Sequence, residues 1–427
     1  MGSPESLEAW LSRLIAVPSE RIELGLARVE AAYERLGRPR PAPIVLTVGG
    51  TNGKGSTVAF LVAMLRASGY RVGSYTSPHL FRFNERMVID GVEASDEAIT
   101  DAFRRVDAAR GDIALTFFEF ATLAALQWFS DAALDVVVLE VGLGGRLDAV
   151  NLIDADVAIV TTIDLDHQQY LGDTREAIAV EKAGIFRAGR PAVVAEAAPP
   201  ASLLAEIARI GAHPLRLGHE YRIDIDRDDW HWIGAGTSLR LPPPGLRAPV
   251  QHYNAAAAIA ALMALRDRLH VPFRALRIGL TEANVRGRLE VFPGAVETVV
   301  DVGHNPQAAQ VLADWLRRHP RRTRAVFSAL ADKDLAGIIE PLLPRVAHWH
   351  LCGLDAVSPR GLDVRRVHAR VGELIGADRC SLHADPEAAL ASAHSASQQG
   401  ERVLAFGSFL LVSALGPTLN RMSAPAN

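Results

Sequence analysis

Short apolar runs rich in β-branched residues recur along the chain, each followed by a polar or glycine-rich turn and then a helical stretch. Residues 44–48 form the first such run, and 57–67 read as the helix after its turn. Residues 136–139 and 157–161 have the unbroken apolar character of strands covered on both faces. Strands alternating with helices predict βαβ units and a parallel sheet. Residues 191–250 are less regular, and Pro242, Pro243 and Pro244 mark a loop there. An Ala-rich helix is expected over 254–269. A second α/β stretch begins near residue 290, with a strand over 298–302 and a helix over 306–317. Pro306 suits the first turn of that helix, where its missing N–H costs nothing. Residues 324–327 and 402–406 are further strand candidates. No internal repeat or low-complexity tract interrupts the pattern.

The chain has 427 residues, enough for two or three domains. The boundary is expected within 285–292, giving domains over 1–288 and 289–427. Apolar residues make up 49% and charged residues 22%, a composition that folds and does not stay disordered. A net charge of −4 argues against a general nucleic-acid coat. Two cysteines, Cys352 and Cys380, are too few for a disulfide framework and are expected as buried free thiols in a reducing cytoplasm. No run of about 18 apolar residues predicts a membrane span. The N-terminus lacks the basic start and apolar stretch of a signal peptide, though Gly2 and Ser6 fit the short myristoylation pattern.

The strongest local signal is Gly49-Gly50-Thr51-Asn52-Gly53-Lys54-Gly55-Ser56-Thr57, between a strand and a helix. Backbone N–H groups of such a loop point at phosphate oxygens, with Lys54 facing the outer phosphates and Ser56 placing a hydroxyl on Mg²⁺. The strict phosphate-loop spacing fails, because position 48 is Val and Gly55 separates Lys54 from Ser56. The alternative is a plain Gly-rich turn. Glu140 ends the apolar run that starts after Asp135, and the loop Gly142-Leu143-Gly144-Gly145-Arg146-Leu147-Asp148 follows. Ligands in open α/β sheets sit beyond the C-terminal strand ends, so Glu140 is a candidate metal ligand; its alternative is a solvated strand cap. Asp164-Leu165-Asp166-His167 follows the next strand, which gives His167 weight as more than a surface histidine. For Lys182, in Glu181-Lys182-Ala183-Gly184-Ile185, the default is a solvent-facing helical lysine. These parts read as an ATP-dependent enzyme with a Mg²⁺ site and leave the acceptor open. The expected fold is α/β, an N-terminal P-loop ATPase-type parallel-sheet domain plus a smaller C-terminal Rossmann-like α/β domain.

Taken together, the Gly50–Ser56 loop, Thr76-Ser77-Pro78-His79-Leu80, the segment from Leu139 to Asp148 and Glu181-Lys182-Ala183-Gly184-Ile185 resemble the folylpolyglutamate synthase family, in its bifunctional form. That family belongs with the Mur peptide ligases, which share a GTNGK-type loop. The resemblance runs from Leu24-Gly25-Leu26 to Phe406-Gly407-Ser408-Phe409. It implies phosphorylation of an acceptor carboxylate by ATP and attack of L-glutamate on the acyl phosphate. The implied acceptors are dihydropteroate and tetrahydrofolate or its glutamates, with Mg²⁺ bound at two sites.

Residue by residue, Gly53, Lys54, Gly55 and Ser56 resemble the ATP loop, and Asn254, Arg288 and Asp301 resemble nucleotide contacts. Ser56, Ser77, Glu140 and His167 resemble the magnesium ligands, and Lys182 the family's carbamylated lysine. His304 lies in Asp301-Val302-Gly303-His304-Asn305-Pro306, the counterpart of a DGAHNP motif. Lys54, His167, Lys182 and His304 are the implied catalytic group. The pterin site would draw on Gly25, Leu26, Ala27 and Arg28, on Thr116, Phe117, Phe118 and Glu119, and on Leu147, Asp148 and Ala149. Two positions depart from the family: Val302-Gly303 replaces Gly-Ala, and Ala27 stands where Glu is frequent. A monofunctional folylpolyglutamate synthase, a Mur-type cell-wall ligase and a non-catalytic nucleotide-binding module are the competing readings. The partners expected are small molecules, with no nucleic acid and no membrane, and the working state a cytoplasmic monomer.

Overall fold

The computed structural model describes residues 6–16, 25–226 and 229–423. Gly2 of the myristoylation pattern and Leu24 of the resemblance lie outside them. The chain packs as two compact units, one formed by Met1–Gly245 with Gln251–Asn284, the other by Leu246–Val250 with Val285–Asn427.

The first unit is built on an eight-stranded sheet. Its strands are β1 (Ile44–Gly49), β2 (Val72–Tyr75), β3 (Met87–Ile89), β4 (Val92–Glu93), β5 (Val136–Glu140), β6 (Val157–Val160), β7 (Pro191–Val194) and β8 (His213–Arg216). They lie in the order β4-β3-β2-β5-β1-β6-β7-β8. From β2 to β8 all neighbours are parallel. The expected parallel sheet gains an antiparallel edge, because residues 76–86 loop back to set β3 beside β2 and a tight turn at Asp90-Gly91 sets β4 beside β3. Every residue of β1, β5 and β6 is buried, as their unbroken apolar runs require. Register brings Val48 opposite Glu140 and Gly49 opposite Val160, so the loops after β1, β5 and β6 open side by side.

One apolar cluster of this unit is rich in aromatic rings. Trp10, Phe103 and Phe120 meet at centroid distances of 5.3–5.9 Å, with Phe129 buried among them. Elsewhere in the unit the helix Lys54–Ala67 packs on Gln251–Ala264 and on Phe273–Glu282. The helix after β1 starts three residues earlier than the pattern predicts, because the glycine loop itself forms the first turn. The Ala-rich helix ends at Ala264, and a run of turns carries the chain to Leu269.

Residues 191–250 correct the expectation of irregularity. After β7 the helix Ala201–Ile210 and β8 complete the large sheet. Three strands, β9 (Tyr221–Ile225), β10 (Trp230–Gly234) and β11 (Thr237–Leu241), then form a small antiparallel sheet. Trp230 and Trp232 alternate with His231 along β10, and both indole N–H groups donate to backbone carbonyls, of Pro242 and Ala256.

The second unit carries a six-stranded sheet of β12 (Glu290–Phe292), β13 (Glu297–Asp301), β14 (Thr323–Phe327), β15 (Val346–Cys352), β16 (Cys380–His383) and β17 (Arg402–Phe406). The order is β12-β13-β17-β14-β15-β16, parallel except for β12. Its core packs Trp315, Phe327, Trp349 and Phe406. Both cysteines are free; Cys352 is buried as expected, while Cys380 is only partly so because it opens the edge strand β16.

Candidate active site

The loop after β1 is shaped by backbone geometry that side chains would oppose. Gly50 has φ +144°, and a Cβ there would sit 1.8 Å from Thr161 Oγ1. Gly53 has φ +86°, and its Cβ would lie 2.5 Å from Asn254 Oδ1. Residues beyond β6 hold the loop from one side. Thr161 Oγ1 donates to Asn52 O at 2.6 Å, Asn52 N–H donates to Thr162 Oγ1 at 3.1 Å, and Thr51 N–H to Thr162 O at 2.7 Å. From the other side, Asn254 Nδ2 donates to Gln251 Oε1 at 2.9 Å and Gln251 Nε2 to Ser56 Oγ at 3.2 Å. Thr161, Thr162 and Gln251 carry no motif and escaped the sequence reading.

The loop ends at the N-terminus of a 14-residue helix whose cap, Gly53, offers no side chain. Its first N–H groups therefore point outward as an anion site. Lys54 Nζ donates to Gly50 O and Thr51 O, both at 3.1 Å, and so lies back across the loop. Replacing Gly53 by Ala forces a left-handed alanine against Asn254. The expected loss is about 1–2 kcal/mol of stability, together with weaker nucleotide binding, read by thermal unfolding and ADP titration.

Glu140 is not a solvated cap. It is 5% exposed, its Oε2 accepts from Ser77 N–H at 3.3 Å, and that oxygen lies 3.7 Å from where a Gly55 Cβ would be. The structure thus brings Gly55, Ser77 and Glu140 to one corner. Nor is Lys182 solvent-facing: it is 3% exposed on the helix Arg175–Ala183. The loop after β5 covers it, held down by Arg146 N–H to Glu181 O at 2.8 Å and Arg146 Nη2 to Glu181 Oε1 at 2.7 Å. Burial pushes the Lys182 amine down to about 7, and the Lys54 cation adds to this against Asp166 and Asp148. Asp166 thereby joins the site, although the sequence marked only its neighbour His167. His167 takes a left-handed conformation (φ +51°, ψ +38°), unusual for a residue with a side chain, and caps the short helix Gln168–Leu171.

The residues assigned to the pterin have defined partners. Arg28 Nε donates to both Glu119 oxygens at 2.9 Å. Glu119 also accepts from Thr116 N–H at 2.8 Å, while Thr116 Oγ1 accepts from Glu119 N–H at 3.3 Å. This is a capping box that starts the helix Phe117–Ser130. Asp148 accepts from Leu143 N–H at 2.8 Å and Val150 N–H at 2.9 Å, so both oxygens shape its own loop. Burial raises its carboxyl to about 6, against those N–H groups, that of Gly142 and the Lys54 charge. Leu26 packs on the aromatic cluster with Phe117 and Phe118; Gly25 and Ala27 flank it at the start of the helix Ala27–Arg35, and Ala149 opens the turn after Asp148. Leu147 is part-buried in the same loop.

In the second unit Asp301 is buried at the end of β13, accepting from Leu289 N–H at 2.8 Å and Gly303 N–H at 2.7 Å. Burial raises its carboxyl, against Arg288, these N–H groups and His304. Val302-Gly303 keeps Asp301 anchored, since the Gly303 amide is one of its donors. The His304 ring meets Val302 O through Nδ1 at 2.9 Å; a carbonyl only accepts, so Nδ1 carries the proton. The Phe409 ring lies 6.0 Å from His304 and 5.3 Å from the Arg288 guanidinium, so Arg288, Asp301 and His304 form one cluster.

Comparison with known proteins agrees over nearly the whole chain. Residues 48–262 match the Mur ligase middle domain, and 287–409 match the Mur ligase glutamate ligase domain. The dihydrofolate synthase/folylpolyglutamate synthase of Escherichia coli (strain K12) is 43% identical over 410 residues, covering 95% of this chain and 94% of that protein. The fold is similar to E. coli FolC in complex with DHPP and ADP, with TM-score 0.93 and 40% identity over 99% of this chain and 100% of that one. It is also similar to the bifunctional enzyme from Yersinia pestis complexed with AMPPNP and Mn ion, with TM-score 0.91 and 41% identity over 98% and 99% of the two chains. The chain belongs to the dihydrofolate synthase/folylpolyglutamate synthase family of the Mur ligases.

Proposed function

We propose that the protein is an ATP-dependent ligase that adds L-glutamate to dihydropteroate, giving dihydrofolate, and to tetrahydrofolates, giving folylpolyglutamates. The observation that carries this reading is the corner where Glu140 meets Ser77 and the Gly53–Ser56 loop, in a chain 43% identical to the E. coli enzyme. An acceptor carboxylate is a poor electrophile because oxide is a bad leaving group. Its oxygen attacks the γ-phosphorus of ATP, the bond to the ADP oxygen breaks, and an acyl phosphate forms. The glutamate amine then attacks the carbonyl carbon, loses a proton, and phosphate leaves.

In this reading the Gly53, Gly55 and Ser56 amides bind phosphate oxygens, and Lys54 offsets charge on the transferring phosphoryl group. Asn254 of the first unit and Arg288 and Asp301 of the second are assigned to the nucleotide, and His304 acts beside Arg288 and Asp301. Gly25–Arg28, Thr116–Glu119 and Leu147–Ala149 bind the pterin, with Glu119 and Asp148 acting through the loops they organise. Among the described residues no three His, Cys, Asp or Glu side chains converge to form a protein-only metal cage. A buried carboxylate, two hydroxyls and substrate phosphates instead make a hard oxygen set of the kind Mg²⁺ takes while keeping several waters. Ser56, Ser77, Glu140 and His167 would hold Mg²⁺, whose role when bound is to neutralise phosphate charge. The two free cysteines suit a reducing cytoplasm, and we take a monomer as the working state.

A Glu140→Gln protein keeps the size of the side chain and loses its charge. Its Mg²⁺ requirement is expected to rise, with partial recovery of rate at high Mg²⁺; an unchanged Mg²⁺ titration would remove Glu140 from the metal site. The reaction itself is tested by product analysis with ATP, L-glutamate and either dihydropteroate or tetrahydrofolate. Both acceptors are expected to yield glutamylated product with ADP. Product from tetrahydrofolate alone would establish the monofunctional enzyme, and product from neither would overturn the reading.

A further inference from the structure

Segment 76–80 follows β2 and carries a histidine that none of these roles uses. Ser77 turns its N–H to Glu140, and two residues on, His79 Nδ1 receives the Nε–H of Arg86 at 2.8 Å. A guanidinium has donors only, so Nδ1 is the acceptor and the proton of the neutral ring sits on Nε2. Arg86 is itself 7% exposed and lies 5.4 Å from both the Phe83 and Phe117 rings. The His79 ring meets Phe83 edge-on at 5.9 Å, and Phe83 meets Phe117 at 6.0 Å. The imidazole is therefore held by a buried cation and an aromatic wall, with its tautomer set. Among the described residues no protein group accepts from its Nε2–H, and the ring is only part-buried.

This donor lies two residues along the chain from one surface and packs through Phe83 on another. On one side is the Ser77–Glu140 corner, where a carboxylate is to be phosphorylated. On the other is the Phe83 ring, with Phe117 behind it at the start of its helix. A ligand suited to both has an aromatic ring with a carboxyl directly attached, which describes the benzoate end of dihydropteroate. We propose that His79 is a substrate-binding residue whose Nε2–H donates to one oxygen of that benzoate carboxyl, leaving the other oxygen to face the phosphoryl donor. The inference rests on the ligase reading and adds the group that orients the acceptor's reacting end. When the amine attacks, negative charge gathers on the carbonyl oxygen, and a donor already aimed there stabilises it.

The test measures dihydropteroate, ATP and glutamate KM values, and the dihydropteroate dissociation constant without ATP, for wild type, His79→Ala and His79→Gln. Loss of a hydrogen bond to a charged group predicts about 10- to 100-fold weaker dihydropteroate binding in His79→Ala, with ATP and glutamate KM unchanged. Glutamine offers one acceptor for Arg86 and one donor for the ligand, so His79→Gln is expected to recover most of the loss. Unchanged dihydropteroate binding in His79→Ala, equal weakening of ATP, or a His79→Gln protein as weak as the alanine variant would each overturn the proposal. Should His79→Ala fail to fold, ¹⁵N spectra of the histidines in the wild-type chain decide. A His79 Nε2 resonance that moves on adding dihydropteroate supports the contact, and one that stays put overturns it. Wild-type protein that binds dihydropteroate but ligates no glutamate would defeat the ligase reading and leave the His79 contact standing.

Discussion

A Lys54→Ala protein turns over about 10²–10³-fold more slowly than wild type while keeping its fold. The loss follows from where the charge sits. Lys54 Nζ lies across the loop on Gly50 O and Thr51 O, 3.1 Å from each, at the mouth of a helix N-terminus that attracts phosphate. The transferring phosphoryl group spreads charge over its oxygens, and a cation fixed beside them costs no reorganisation when the bond breaks. The fold survives because the loop keeps the hydrogen bonds from Thr161, Thr162 and Thr51. Since the interaction is made mainly in the transition state, kcat and kcat/KM should fall together. Steady-state kinetics and thermal unfolding on the same preparation check both halves. Wild-type turnover in a folded Lys54→Ala protein would detach Lys54 from the chemistry.

The elements that position the site were legible because their patterns are local. The unbroken apolar runs of β1, β5 and β6 and the glycine loop declare themselves within a few residues. What organises the site from a distance does not. Gln251 reaches Ser56 across 195 positions, and Thr161 reaches Asn52 across 109. Neither is unusual in its own neighbourhood, so only the packed fold reveals it. The meander of β9, β10 and β11 went unread for a different reason. Its strands are half-exposed and broken by turns, and the alternation of Trp230, His231 and Trp232 spans too few residues to stand out. Glu119 shows the opposite case. Thr116-x-x-Glu119 is a capping signature readable in sequence, and its first task is to start a helix. The resemblance named these residues for their ligand and passed over the backbone they hold.

Lys182 marks the widest gap between pattern and structure, and its replacement by Ala is the second large effect expected. Helical spacing alone makes it a surface lysine. The loop from Gly142 to Asp148 closes over it, and the amine is pushed down to about 7 by burial and by Lys54. Carbon dioxide reacts only with a neutral amine, and a lysine with an ordinary pKa near 10.4 is almost wholly protonated at neutral pH. At about 7 a large share of Lys182 is neutral, so a carbamate can form: nitrogen bonds to carbon, and one proton is released. The product carries two oxygens and a negative charge where an ammonium would repel Mg²⁺. At fixed dissolved carbon dioxide the modified fraction should rise as pH increases through about 7, because deprotonation precedes the reaction. Lys182→Ala should therefore reduce turnover far more than nucleotide affinity, and acetate or bicarbonate should restore part of it by occupying the vacated space. A well-resolved crystal structure at neutral pH should show carbamate density on Nζ. A plain ammonium there, with full activity in Lys182→Ala, would return Lys182 to the role of a buried helix residue and leave its depressed pKa without a catalytic use.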